Sequence, residues 1–183
     1  MTEADFRTFA SDVLDRDVKR FTCDAIQGVV ITLQRPTELL EIVINGAAII
    51  NTDQMLMMSM NRDTSGGNYS SLLDRTEYPL NAAAPGPYRA DRGDSIAIAF
   101  LGWSSATSQN HLLVRCTASN GQKRKRICLG QSAIAQVVGG KNVFSNSFSG
   151  IWHNQDDRVT EIGIYLSSGG SFKGTIDVRV LDP

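Results

Sequence analysis

The side chains able to do chemistry in this chain are few and scattered. His111 and His153 are its two imidazoles, and neither sits in a nucleophile setting such as Gly-x-Ser-x-Gly. His153 follows Trp152 and precedes Asp156-Asp157, which makes it the best candidate for a site. Carboxylates that hydrolyse glycosidic bonds must stand roughly 5 to 9.5 Å apart over a groove. Asp156 and Asp157 are sequence neighbours, and neighbours on an extended chain point apart. Surface loop residues are therefore the plainer reading. No Cys/His spacing suits zinc, no Asp-rich loop has the calcium pattern, and no glycine loop could cradle phosphate. No cofactor, no metal and no enzymatic activity are expected.

Binding chemistry has more candidates. Trp103 and Trp152 lie beside turns, near Tyr88 and His153. Exposed, such rings would stack on sugars; buried, they would cap the ends of a core, the commoner role for an amphipathic ring. Lys123-Arg124-Lys125-Arg126 is the one concentrated charge run, placed by the Asn120-Gly121 turn at a solvated hairpin tip. Arg92-Gly93-Asp94 reads as a turn. Met55, Met57, Met58 and Met60 crowd one strand and fill core space. A two-residue turn at Asn120-Gly121 sets Cys116 opposite Lys125 and Cys128 opposite Leu113. The two sulfurs then fall on different faces and cannot bond. With Cys23 they make an odd count, read as buried free thiols.

The totals fit one soluble domain. The 183 residues can enclose a core, 42% are hydrophobic and 20% charged, and the net charge is −1. That balance argues against direct nucleic-acid binding. No apolar run reaches the roughly 18 residues of a membrane span. The acidic opening Met1-Thr2-Glu3-Ala4-Asp5 is unlike a secretory signal, so a cytoplasmic origin is expected.

Elements must position these residues. Phe6, Phe9, Val13 and Leu14 recur at helical spacing after a Thr2 cap, so residues 1–24 read as a short amphipathic helix or arm. Residues 25–183 read as strands. Gly28–Leu33, Leu39–Ile44, Ala47–Ile50, Asp53–Met60, Ser95–Leu101, Leu112–Ala118, Arg126–Leu129 and Ile134–Val138 are the middle ones. Residues 61–93 form a long region of low regularity. Near the end, Ile162, Ile164 and Leu166 alternate with Glu161, Gly163 and Tyr165; Ile176, Val178 and Val180 alternate with Thr175, Asp177 and Arg179. Ser167–Ser171 between them suggests an antiparallel hairpin. Many short strands without a βαβ rhythm make the fold all-β: a single-domain, jelly-roll-like β-sandwich with a short N-terminal helix or arm.

Three stretches, in order, carry a resemblance. Phe148-Ser149-Gly150-Ile151-Trp152-His153-Asn154 leads into Val159–Ile164, then Ser168–Thr175 and a final strand; upstream stand Met58–Thr64 with Gly67-Asn68-Tyr69-Ser70, and Leu39–Ala48. Together they resemble β-sandwich structural proteins of tailed-bacteriophage virions, although the chain closes on Val180-Leu181-Asp182-Pro183 where that family often ends in an aromatic-glycine pair. The resemblance implies a capsid decoration (cement) protein, located in the virion after assembly in the host cytoplasm. Its partners would be the major capsid protein and sister subunits, as a homotrimer. Phe6, Phe9 and Val13 on the arm, with Tyr69 and Tyr88 in the 61–93 region, are then the contact candidates. The alternative is a fibre module that binds a bacterial surface glycan through Trp103, Trp152 and His153.

Overall fold

The structure, a computed structural model, describes residues 10–14, 18–33, 39–50, 54–78, 88–102, 106–117, 125–138, 143–155, 157–168 and 170–181. These residues form thirteen strands in two sheets and contain no helix. The first sheet holds β1 (Ala10–Leu14), β3 (Gly28–Leu33), β5 (Gln54–Met60), β8 (Ile96–Gly102) and β12 (Glu161–Leu166), in the order β1-β3-β12-β5-β8. The second holds β2 (Val18–Ile26), β4 (Leu39–Ile50), β6 (Tyr69–Tyr78), β7 (Tyr88–Gly93), β9 (Ala106–Thr117), β10 (Arg126–Val138), β11 (Val143–Trp152) and β13 (Gly170–Val180). Its order is β2-β13-β4-β9-β10-β11-β6-β7. Pairing is antiparallel except between β1 and β3. The chain changes sheet at many of its connections, which gives the expected jelly-roll-like β-sandwich.

One continuous core fills the space between the sheets. Alternate residues of the eight-stranded sheet point in, and β11 reads exposed, buried, exposed, buried along nearly its whole length. The smaller sheet meets them with Met58, Met60, Ile31 and Ile162. Met58 touches Cys116 (3.9 Å), so the methionines fill core space as read. Gly150 lies under β8, where an added Cβ would collide with Ile96. Asn146 is 1% exposed; its Nδ2 donates to Ser132 Oγ (2.8 Å) and its Oδ1 accepts from Phe100 N on β8 (3.4 Å). This amide ties the two sheets together.

Several expectations are corrected. Residues 10–14 and 18–26 are strands, not a helix, and a boundary after residue 24 would cut through β2, which pairs with β13. Burial of Phe21 and Cys23 against the core outweighs any amphipathic period there. Residues 1–9 lie outside the described residues. The 61–93 region contains two strands, β6 and β7. β4 runs through Gly46, which faces Gly174 across the ladder where neither has room for a Cβ. The final two strands do not form a hairpin. β12 lies between β3 and β5, β13 between β2 and β4, and the Ser-Gly linker crosses from sheet to sheet. β12 is also buried on both faces, not one.

Candidate functional site

Three of the described candidates from sequence, Tyr69, Trp152 and His153, gather at the end of the sandwich where β5 turns toward β6. Asn61 and Arg62 both adopt left-handed backbone, φ 53° and 51°. Asparagine tolerates this region better than most residues, and its side chain here offsets the strain. Asn61 Oδ1 accepts from Thr160 N (2.7 Å) and Glu161 N (3.1 Å), while Nδ2 donates to Arg158 O (2.6 Å). Arg62 pairs with Glu161 (2.8 Å). Asp63 is the hub of this knot. Its Oδ2 accepts from Trp152 Nε1 and Asn68 Nδ2, each at 2.8 Å, and its Oδ1 accepts from Ser65 N at 3.0 Å. Burial opposes ionisation of Asp63, yet these donated bonds outweigh it and hold the carboxyl below the usual carboxylate range.

Around this hub the sugar-stacking and docking roles fall away. Trp152 and Tyr69 are both fully buried and stack on each other with ring centres 6.4 Å apart. The Tyr69 hydroxyl accepts from Met60 N (2.9 Å) and donates to Met60 O (3.1 Å), and burial pushes its pKa far upward. Neither ring can reach a glycan or a partner. His153 is half-buried, and its Nε2 shares a hydrogen bond of 2.8 Å with Ser70 Oγ. Phe6, Phe9 and Trp103 lie outside the described residues. Val13 and Tyr88 are placed by backbone pairing alone, opposite Thr32 and Leu73.

The basic run is corrected in part. Lys125 is exposed, but Arg126 is fully buried on the inward face of β10. Its guanidinium stands 6.0 Å from the Trp152 ring and donates through Nη2 to the Asp157 carbonyl. Nε and Nη1 have no hydrogen-bond partner among the described residues. Desolvation lowers its pKa, with Asp157 acting against the fall. Cys116 and Cys128 face each other directly across β9 and β10 on the inward face, so the expected register is off by three residues. All three thiols are free and buried. Burial, then the bond with Cys116, raises the Cys128 thiol well above its ordinary value, and burial pushes Cys23 up to about 11.

What remains open is the outward face of the eight-stranded sheet. Four of the five exposed large hydrophobics among the described residues lie on it, Ile49, Ile127, Leu129 and Val143; the fifth, Leu181, follows the end of β13. Its two halves differ. Across β2, β13, β4 and β9 the outward residues form an ion lattice, with Asp177 bound to Arg20 (2.7 Å) and Glu41 shared by Arg115 (3.0 Å) and Arg179 (3.6 Å). Across β10 and β11 no described outward residue is charged. β10 presents Ile127, Leu129, Gln131, Ala133 and Ala135, and β11 presents Val143, Ser145, Ser147, Ser149 and Ile151. Between the halves runs an open groove of about 640 Å³, floored by Ala47, Ala133 and Ala135 and edged by Gln109, His111 and Val143. His111 Nδ1 and Asn45 Oδ1 share a hydrogen bond (2.5 Å) beside it. Charge depletion at the centre of a patch is the compositional mark of a protein interface. The serine alternation at 145, 147 and 149 was the sequence signal for this strip, and reading those residues as a strand would have found it.

No family model and no curated protein matches the chain. Among solved structures, the CBM40 module of the Ruminococcus gnavus IT-sialidase, bound to alpha2,3 sialyllactose, is similar at 15% identity. That match covers 90% of this chain and 94% of the module, with a TM-score of 0.33. The alginate lyase Aly36B, as a double mutant in complex with an alginate trisaccharide, is similar at 13% identity over 90% of this chain and 81% of its own, with a TM-score of 0.24. Likenesses this slight decide nothing about what this chain binds.

Proposed function

We propose that this chain is a structural protein of a tailed-bacteriophage virion, specifically a capsid decoration (cement) protein that works with the major capsid protein and sister copies as a homotrimer. One observation carries the reading. The Asp63 carboxylate, the Trp152 indole and the Tyr69 hydroxyl at the end of the sandwich are consumed by bonds within the chain, whereas the exposed apolar side chains collect on one broad sheet face. Such a body is rigid where chemistry would need mobile, poised groups, and sticky where a shell or a sister copy could lie. The order of turn motifs shared with virion β-sandwich proteins supports the same reading. Repeated placement on a symmetric shell would multiply modest contacts through avidity.

The test is to locate the protein in a cryo-EM map of purified particles and to remove its gene. Density on the head shell, with particles lacking the protein less resistant to heat and osmotic shock, is the expected result. Particles that never contain the protein, or that lose no resistance without it, would overturn the cement reading. Density confined to the tail tip would move the protein to the fibre class.

A further inference from the structure

We infer that three copies of this chain meet through the outward face of β10 and β11, with that strip running along a threefold axis. The number three rests on the proposed function; the surface rests on the geometry of the strip.

Three features of the strip fit a sister copy. First, its centre is small and uncharged: Ser145 and Ser147 on β11 stand beside Ala133 and Gln131 on β10, and Ser149 stands beside Leu129. Side chains this short let strands from three copies approach one axis, and they leave no charge to be desolvated there. Leu129 (52% exposed) and Ile127 (46%) supply apolar area at one end of the strip, and Val143 (47%) supplies it at the other.

Second, its two flanks are unlike and complementary. Around a threefold axis the β6 flank of one copy abuts the β9 flank of the next, a heterologous contact that closes after three. The β6 flank carries exposed Asp74. Through Ser147 and Gln131, Asp74 is level with Leu113 on β9, midway between exposed His111 and exposed Arg115. A carboxylate on one copy thus arrives between the His111 imidazole and the Arg115 guanidinium, the latter already paired with Glu41, on its neighbour. A face-to-face pair with its two-fold axis across the strands would instead bring Asp74 against Asp74.

Third, the strip is wide enough to meet two neighbours at once. Four strands about 4.8 Å apart and ten residues at about 3.3 Å rise give roughly 600 Å² of projected plane. Side-chain relief raises the accessible area above that projection, but each copy divides it between two neighbours, so each pairwise contact is smaller than the ~800 Å² per partner of a standard interface and the closed ring holds by two such contacts per copy.

The experiment is sedimentation velocity on the intact chain from low to high micromolar concentration, with exposed strip residues altered one at a time. Wild type should sediment as a trimer. Ser147→Arg and Ala133→Glu each set three like charges near the axis and should weaken association roughly 100-fold or more. Their circular dichroism should stay that of wild type, because both side chains point to solvent. Gln155→Arg, on an exposed loop, should leave the trimer intact. The combined Asp74→Cys and Leu113→Cys chain, oxidised with a small-molecule disulfide, should run as a covalent trimer, and either change alone should not. A monomer at every concentration, a closed dimer, or a trimer indifferent to Ser147→Arg would each overturn the interface. A solution monomer found on the shell would leave the proposed function standing, while a trimer absent from the particle would leave this interface standing.

Discussion

Single residues hold the end of this sandwich together, and Asp63 makes the clearest case. Removing its carboxylate leaves the buried Trp152 Nε1 without an acceptor and frees Asn68 and Ser65 N. A stranded buried donor costs about 1–3 kcal/mol, so Asp63→Ala should reduce the unfolding free energy read from urea melts by that much and shift Trp152 emission. The pH dependence follows from the same bonds. A carboxyl whose folded pKa is depressed contributes stability that is complete above its unfolded value of about 3.9 and is lost as pH falls through the folded value. Asp177, lowered first by its bond from Arg20, behaves in the same way. Stability should therefore hold from neutral pH down to about 5 and fall below about 4, less steeply in Asp63→Asn. The thiols give a second readout. With Cys23 and Cys128 both raised and all three cysteines buried, a thiol reagent at mild alkaline pH should titrate almost nothing in the native protein. Added denaturant should release all three; rapid native labelling would contradict the placement of β9 against β10.

At the scale of elements, packing between the sheets decides what local patterns leave open. Gly150 on β11 has no room for a methyl group because Ile96 of β8 lies on it. Gly150→Ala should cost about 1–3 kcal/mol by overpacking, and Ile96→Ala in the same chain should recover part of that loss. Independent costs that merely add would contradict this contact. The same principle explains what the sequence revealed and what it hid. Alternation of Ile176 and Val178 with Asp177 and Arg179 marked β13 correctly, since only one face of that sheet is covered. Alternation misled at β12, because Gly163 and Tyr165 are buried on the second face as deeply as Ile162 and Ile164 are on the first. Asn120-Gly121 signalled a turn, but pairing followed the match of inward residues, Cys116 to Cys128 and Val114 to Gly130, and the register moved. Trp152 was readable as core, since it keeps the parity of Phe144 and Phe148 along β11. Buried Arg126 keeps the inward parity of Cys128 as well, but a basic run beside a turn pointed outward. Asp63 could not have been found: its partners Asn68 and Trp152 come together only once β11 lies against β6.

At the scale of the whole molecule, the two ends of the chain lock each other. β2, among the first strands, hydrogen-bonds to β13, the last, and β13 lies between β2 and β4 in the larger sheet. Arg20 and Asp177 join the same two strands with two hydrogen bonds, 2.7 and 2.8 Å. The sheet therefore cannot close until the last strand has been made, and such non-local pairing is slow to form. Partial chains that lack β13 therefore cannot present a finished outward face of the larger sheet. A chain ending at Ser168 lacks β13, which leaves β2 without its neighbour in the sheet and bares the β4 edge together with the inward faces of Phe21, Ile42 and Ile44. It should show no cooperative thermal transition and should aggregate, an exposed apolar edge being a template for pairing with other chains. A chain lacking residues 1–9 removes none of the pairings described between β1 and β13, and it should melt as cooperatively as the full chain. Circular dichroism melts and size-exclusion profiles of the two truncations decide the matter. A soluble, cooperatively melting 1–168 chain would mean that β2 and β4 hold the sheet without β13, and the interlock of the chain ends would then have no part in its stability.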